Sequence, residues 1–255
     1  MPASIIEMQY NDGENLRYTA TLNGSSSEQE LIPTSSQTIS FGFNTGSVSD
    51  YDGNTYTTIK IGDQWWMAEN LKTTHYADGT AIPLVESPSG WYNLGYTDQA
   101  YCYYNNSTEN GSTYGALYTW EAARNACPSG WHLPSDAEWK QLEMYLGMSL
   151  SEADATGYRG TNEGSKLAGN ANLWNNGNLE NNAAFGNSGF TALPGGFQFD
   201  LGAFYDLGDC ALFWSATEVS SSCAWGRGLG YNYSEVYRSY GHAKTNGFSA
   251  RCTKD

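Results

Sequence analysis

Residues 212–255 read LFWSATEVSSSCAWGRGLGYNYSEVYRSYGHAKTNGFSARCTKD, and this terminal stretch decides the fold. From Trp225 the side chains alternate. Trp225, Arg227, Leu229, Tyr231 and Tyr233 share one parity, and Gly226, Gly228, Gly230, Asn232 and Ser234 share the other. A period of two marks a strand with one face turned to the interior. The pattern puts the Trp225 parity on that face and the glycines outward. Glycine is depleted in strands, and three at successive outward positions weaken the element without a packing return. They need a reason other than stability.

Outward from there, Ala211–Thr217 leads into the stretch as a strand, and Gly189–Phe197 and Phe204–Tyr205 read as further short strands. Residues 148–189 are polar and rich in Asn and Gly, and read as a long loop excursion anchored by GSKLAG and NLWNNG. Ahead of them Ser135 and Glu138 form a capping box, Trp139, Leu142 and Leu146 make an apolar stripe, and Gly147 ends the helix. His132, Asp136 and Glu138 invite a catalytic reading, but capping and the helix dipole account for acids at a helix start. No catalytic residue is assigned. Tyr114–Ala126 spaces Leu117, Trp120, Ala123 and Ala126 on one face and predicts an amphipathic helix. Tyr56–Ile61 and Gln64–Met67, joined at Gly62-Asp63, predict a hairpin. Residues 1–47, with an Asn11-Asp12-Gly13 turn before a β-prone run, read as a β-rich arm or attachment segment too short for its own core. Residues 48–255 read as one α+β domain, helices first and short strands after.

The chain has 255 residues, 40% hydrophobic and 15% charged, with 29 Gly, 19 Tyr and 9 Trp. That is a globular composition shifted toward the Tyr, Trp, Ser, Gly and Asn that paratopes use. A formal charge of -15 with only 12 Lys and Arg argues against nucleic acid and against anionic membrane surfaces. No apolar run approaches the ~18 residues of a spanning helix, so no membrane insertion is expected. The first residues have neither a basic region nor an apolar core of signal-peptide length, and read as carrying no export address. Cys102, Cys127, Cys210, Cys223 and Cys252 show no zinc-type spacing, so one or two disulfides are open and at least one thiol stays free. No cofactor is expected, although carboxylates this numerous leave room for a structural Ca²⁺.

Six runs occur in order across residues 50–255: DYDGNTYTTIKIGDQWWMAENLKT, YGALYTWEAA, CPSGWHLPSDAEWKQL, SGFTALPGGF, FWSATE and GFSARC. Together they resemble the Fibrobacter succinogenes major paralogous domain. GWHLPSDAEW is also similar to a stretch of formylglycine-generating-enzyme-like domains, and both groups have the C-type-lectin fold. The resemblance implies two helices against short antiparallel strands, a long loop region and termini close together. It also implies a disulfide between Cys127 and Cys252, since that fold bridges a cysteine near a helix to one in the final strand.

FWSATE, Ala224-Trp225, Arg227, Leu229, Val236, Arg238, Lys244 and GFSARC are similar, as a pattern, to the variable region of proteins diversified by retroelements in Bacteroides and their phages. There the adenines of Asn-type codons are randomised between fixed positions. Changing only the adenines of AAC yields Asn, Ser, Gly, Tyr, His, Cys, Thr, Asp, Ala and a few others. Ser220, Ser222, Cys223, Gly226, Gly228, Gly230, Asn232, Tyr233, Tyr237, Ser239, Tyr240, Gly241, His242 and Thr245 all lie in that set, and Glu235 does not. This supplies a reason for the glycines. The resemblance implies a binding protein whose variable region, about 219–246, contacts ligand through those residues together with Trp225 and Glu235. Trp214, Arg227, Leu229, Arg238, Lys244 and Phe248 are its scaffold, and affinity is expected between Tyr233 and His242. The implied setting is a phage tail-fibre tip in the virion, homotrimeric, meeting a bacterial surface protein or glycan receptor. The alternative is a bacterial cell-surface adhesin or lipoprotein. An enzyme of the formylglycine-generating type needs thiols at a copper site, and no close Cys pair occurs. The Glu-Pro-Asn, Gln-Pro-Asp and Trp-Asn-Asp motifs of calcium-dependent lectins are absent, with Trp174-Asn175-Asn176 only an echo.

Overall fold

The structure, a computed structural model, describes residues 15–22, 25–32 and 44–255. The chain divides into two compact units, Met1–Gly46 and Ser47–Asp255. In the first, β1 (Leu16–Leu22) and β2 (Ser25–Leu31) pair antiparallel. The expected turn at Asn11-Asp12-Gly13 lies outside the described residues.

The second unit is mixed α+β, with short helices and several sheets whose strands are mostly antiparallel. Its first strand, β3 (Thr45–Ser49), begins two residues ahead of Ser47, and β4 (Thr55–Ile61) and β5 (Gln64–Met67) form the predicted hairpin, with Ile61 opposite Gln64. Next come α1 (Pro88–Tyr92), β6 (Tyr101–Cys102), α2 (Thr108–Tyr114), β7 (Leu117–Tyr118) and α3 (Trp120–Asn125). The helix predicted over Tyr114–Ala126 therefore occupies only the second half of that range. Gly115 has φ 83 and breaks it. The amides of Ala116 and Tyr118 then bond the carbonyls of Leu71 and Phe248, so this segment satisfies its backbone across the fold instead of along a helix.

β8 (Trp131–His132) leads into α4 (Asp136–Tyr145), which starts with the predicted capping box: Ser135 Oγ accepts from the Glu138 amide, and Glu138 accepts from the Ser135 amide at 2.7 Å. Residues 148–189, expected to be a loop, instead carry α5 (Leu150–Asp154), β9 (Gly157–Arg159) and α6 (Glu163–Leu167). These elements are too short to show a readable period, and distant partners stabilise them. The two expected anchors do pack inside, with Leu167 of GSKLAG and Trp174 of NLWNNG both buried. The chain ends with β10 (Gly195–Gln198), β11 (Phe204–Leu207), β12 (Cys210–Glu218), β13 (Cys223–Gly230), β14 (Val236–Ala243) and β15 (Thr253–Lys254).

Two sheets organise this unit. One has six strands in the order β11-β10-β12-β13-β14-β9, with β10 and β12 parallel and the other neighbours antiparallel. The other has five, β3-β4-β5-β15-β8. Phe213, Leu229 and Val236 pack with Trp66, Trp139 and Phe190 in one core, while Trp214 and Ala224 pack with Tyr118, Trp120 and Phe248 in another. A disulfide joins Cys127, just past α3, to Cys252 ahead of β15, with Cα atoms 5.9 Å apart. Cys102, Cys210 and Cys223 are free. Arg251 is fully buried, and among the described residues no carboxylate pairs with its guanidinium; it donates to Asn70 Oδ1 and to the Phe190 and Thr191 carbonyls, and burial lowers its pKa to about 9.

Candidate functional site

β13 lies in the middle of the six-stranded sheet, and its register gives the sheet two unlike faces. Phe213, Arg227 and Arg238 are paired across one face; Leu212, Gly228, Tyr237 and Tyr158 are paired across the other. The arginine face is closed by α4. Arg227 donates through Nε to Glu143 Oε1 at 2.7 Å and pairs with Asp136 at 2.8 Å. Arg238 reaches Asp136 Oδ2 at 2.8 Å, and Arg159 reaches Glu143 Oε2 at 2.5 Å. Burial pushes the Asp136 carboxyl up, but Arg238 and Arg227 outweigh it and hold the group at about 2. Asp136 thus does more than charge a helix end: it fixes two sheet arginines. Of the other scaffold residues, Lys244 pairs with Glu218 and lies 4.2 Å above the Trp120 ring, and Trp214 stacks on Phe248 at 4.4 Å. Trp214, Arg227, Leu229, Arg238, Lys244 and Phe248 are all buried.

The expected outward glycines are not outward. Gly226, Gly228 and Gly230 are buried, because neighbouring side chains fold over the second face of β13. A Cβ on Gly226 would stand 2.7 Å from His242 Cδ2 and 3.2 Å from the Phe213 carbonyl oxygen. On Gly228 it would meet Leu212 Cδ2 at 2.9 Å, and on Gly230 the Tyr158 hydroxyl at 2.8 Å. These glycines supply space under a lid of side chains and are not exposed contacts. Thr245 is corrected in the same way: it is buried, and its carbonyl accepts the Trp91 indole N–H at 2.8 Å. The remaining residues do reach solvent. Ser220, Asn232, Tyr233, Tyr240 and Gly241 are exposed, and Ser222, Cys223, Trp225, Glu235, Tyr237, Ser239 and His242 are partly so. His242 is wedged against Phe248 and Trp214, with ring centroids 4.9 and 6.3 Å away, and burial lowers its pKa to about 4.

The turn joining β13 to β14 is held through its backbone. The Leu179 amide donates to the Tyr231 carbonyl, the Ser165 amide to Ser234, and Asn178 Nδ2 to Asn232. Gly177 and Gly164 permit this approach, since a Cβ on either would come within 2.3 Å of the Tyr231 or Glu235 carbonyl oxygen. With main-chain atoms doing the anchoring, the side chains of Asn232 and Tyr233 stay free to face solvent. The exposed aromatics fall into two groups. Tyr233 stacks on Tyr158 at 3.7 Å, with Tyr237 at 5.0 Å from Tyr158. Elsewhere Trp225 covers the Arg238 guanidinium at 3.7 Å, with Tyr240 at 5.5 Å from Trp225, so these two belong to the arginine side. Sequence reasoning missed Tyr158, whose hydroxyl is pushed up to about 12, mainly by burial, with the Glu235 charge adding to it. It sits in the stretch read as loop, and the signal for it was Gly157-Tyr158-Arg159, a single alternation.

Chemically this surface offers aromatic faces, hydroxyls and one carboxylate. Among the described residues, no group of three or more His, Cys, Asp and Glu side chains is placed to hold a metal ion, and no helix is long and apolar enough to cross a membrane. His132 lies between Glu138 at 2.8 Å and Asp255 at 2.7 Å. Burial lowers its pKa, but the two carboxylates outweigh that and raise it. No curated protein and no solved structure matches the chain. The family model of the Fibrobacter succinogenes major domain matches residues 59–254, nearly all of the second unit, and the chain belongs to that family.

Proposed function

We propose that the chain is a binding protein, a C-type-lectin-like scaffold carrying a diversified surface, and that it serves as the receptor-binding tip of a phage tail fibre. One observation carries this reading. Between residues 219 and 246, nearly all the solvent-facing side chains at positions between the fixed ones are of adenine-reachable types, while the intervening Arg227, Leu229, Val236, Arg238 and Lys244 are buried. Glu235 stands outside the set and is a fixed position here, as is Trp225 on its Arg238 support. Changes at the fully exposed Ser220, Asn232, Tyr233, Tyr240 and Gly241 leave the ion pairs and cores untouched, which is what a surface selected by variation requires. The lectin-like assignment is supported by β3 and β15 sharing one sheet and by the long excursion between α4 and the final strands. The receptor is a bacterial surface protein or glycan, the tip assembles as a trimer, and binding does not depend on Ca²⁺.

A second placement, a bacterial cell-surface adhesin, is favoured by the Cys127–Cys252 disulfide, since such bonds persist in oxidising compartments. Sequencing the gene and its flanks across a population tests the reading. The expected finding is a near-copy of the terminal stretch beside a reverse transcriptase gene, with substitutions confined to the codons of the solvent-facing residues. An invariant terminal stretch with no template copy contradicts diversification.

A further inference from the structure

The register aligns one row of side chains across all six strands on the face opposite Arg227 and Arg238. Tyr205 of β11 is opposite Phe197 of β10. Phe197 adjoins Leu212, because Gly196 is opposite Ala211 in the parallel pair. Leu212 is opposite Gly228, Gly228 opposite Tyr237, and Tyr237 opposite Tyr158 at the far edge. The rings follow this path: Phe197 and Tyr205 lie 5.8 Å apart, Tyr237 and Tyr158 5.0 Å, and Tyr233 caps Tyr158 at 3.7 Å. Gly228 keeps the middle low between Leu212 and Tyr237. Both ends are open, with Tyr205 47%, Tyr158 43% and Tyr233 45% exposed, while Phe197 and Leu212 in the middle rest against the core that holds Trp214 and Phe248. Scattered exposed aromatics need no explanation, but here exposed rings stand at both ends of one row of the sheet, joined through half-buried Phe197, Leu212 and Tyr237 over buried Gly228.

Charge identifies what fits it. The Lys and Arg residues of these six strands are Arg159, Arg227 and Arg238. All three turn to the other face, into Glu143 and Asp136. The charged residues flanking the row are acidic: Asp206 follows Tyr205, Asp209 lies just beyond it, and Glu235 sits in the turn beyond Tyr233. Tyrosine faces are themselves electron-rich and attract cations. The chain as a whole carries -15.

We propose that this row, from Tyr205 to Tyr158, is the docking surface for a basic protein segment, an inference that rests on the binding-protein reading above. Arginine and lysine side chains of the partner lie over the tyrosine faces, and Asp206, Asp209 and Glu235 meet their charge. The binding surface then extends beyond the diversified stretch to Tyr158, Phe197, Leu212 and Tyr205. Opposite net charges speed the encounter, and salt weakens it.

The test measures binding of the full chain to three probes: a ten-residue arginine peptide, its uncharged citrulline counterpart and a neutral glucan oligosaccharide. The arginine peptide is expected to bind at low salt and weaken as salt is added, and the citrulline peptide to bind at least about tenfold more weakly. The double variant Tyr158→Leu/Tyr205→Leu keeps net charge and apolar bulk but removes two rings, and is expected to lose roughly fivefold to twentyfold in affinity. Tyr158→Phe/Tyr205→Phe keeps the rings and is expected to bind like the wild type. Should the Leu pair lose its fold, Tyr205→Leu alone reads the same effect at about twofold to fivefold. Wild-type affinity in the Leu variants means that charge alone attracts the peptide and overturns the row. Preferential binding of the glucan overturns the class of partner. The binding-protein reading fails separately, through absence of attachment to any of a panel of bacterial cells, and its diversified surface fails through attachment that survives Tyr233→Ala/Tyr237→Ala/Tyr240→Ala.

Discussion

At Gly226 the strand has room for a hydrogen atom and little more. A methyl group there presses on the His242 ring, itself held by Trp214 and Phe248, and on the Phe213 carbonyl oxygen, which cannot swing aside. Gly226→Ala is therefore expected to cost about 1–3 kcal/mol in urea unfolding. Gly241→Ala, with open space around it, should stay within about 0.5 kcal/mol. Equal effects at the two sites contradict the packing account. His242 makes a second prediction. Its unfolded pKa is about 6.5 and burial lowers the folded value to about 4, so the folded state resists the proton. The stability linked to this group is complete above pH ~6.5 and falls as pH drops toward 4, by up to about 1.4 kcal/mol per pH unit. His132, raised, acts above that window, and Asp136 and Glu138, lowered from 3.8 and 4.5, act below most of it. His242→Phe is expected to flatten the melting temperature between pH 6.5 and 4; an unchanged slope contradicts it.

Elements specified by neighbouring residues were legible in the sequence. The Ser135–Glu138 capping box started α4 where expected, and Gly62-Asp63 closed its hairpin. β13 was legible as a strand, but its second face was not. Period-two reasoning assumes that a polar or glycine parity meets water. Here Leu212, Tyr158 and His242 arrive from other strands and cover it, information that lies in the register and not in the alternation. The ion pairs were illegible for the same reason, since α4 and the arginines are remote in sequence. They carry the element-scale prediction. Glu143 is fully buried between Arg159 and Arg227, so Glu143→Leu leaves two buried guanidiniums without that partner. A cost of about 3–5 kcal/mol is expected, read as a fall in urea midpoint at constant slope. A cost below about 1 kcal/mol contradicts the proposed coupling of α4 to the sheet.

For the whole molecule, the α+β class followed from the order of patterns along the chain, and the family from motifs spaced over two hundred residues, matched by the model over 59–254. The Cys127–Cys252 bond spans 125 residues, and only family resemblance singled it out, because five cysteines leave the pairing open to arithmetic. The candidate surface was legible in its exposed tyrosines and serines, and illegible where burial claimed Gly226, Gly228, Gly230 and Thr245 or where Tyr158 joined from a distant strand. On the proposed reading, stability and recognition use different side chains: buried ion pairs and cores hold the fold, and the exposed aromatics are the ones that would vary. The most direct measurement is attachment of the labelled protein to a panel of bacterial cells, with Tyr233→Ala/Tyr237→Ala/Tyr240→Ala compared with wild type and both melting temperatures recorded. Attachment is predicted to fall by at least about tenfold, with the melting temperature within a few degrees of wild type. Undiminished attachment, or a fold that collapses with these three rings, contradicts the separation of scaffold from binding surface.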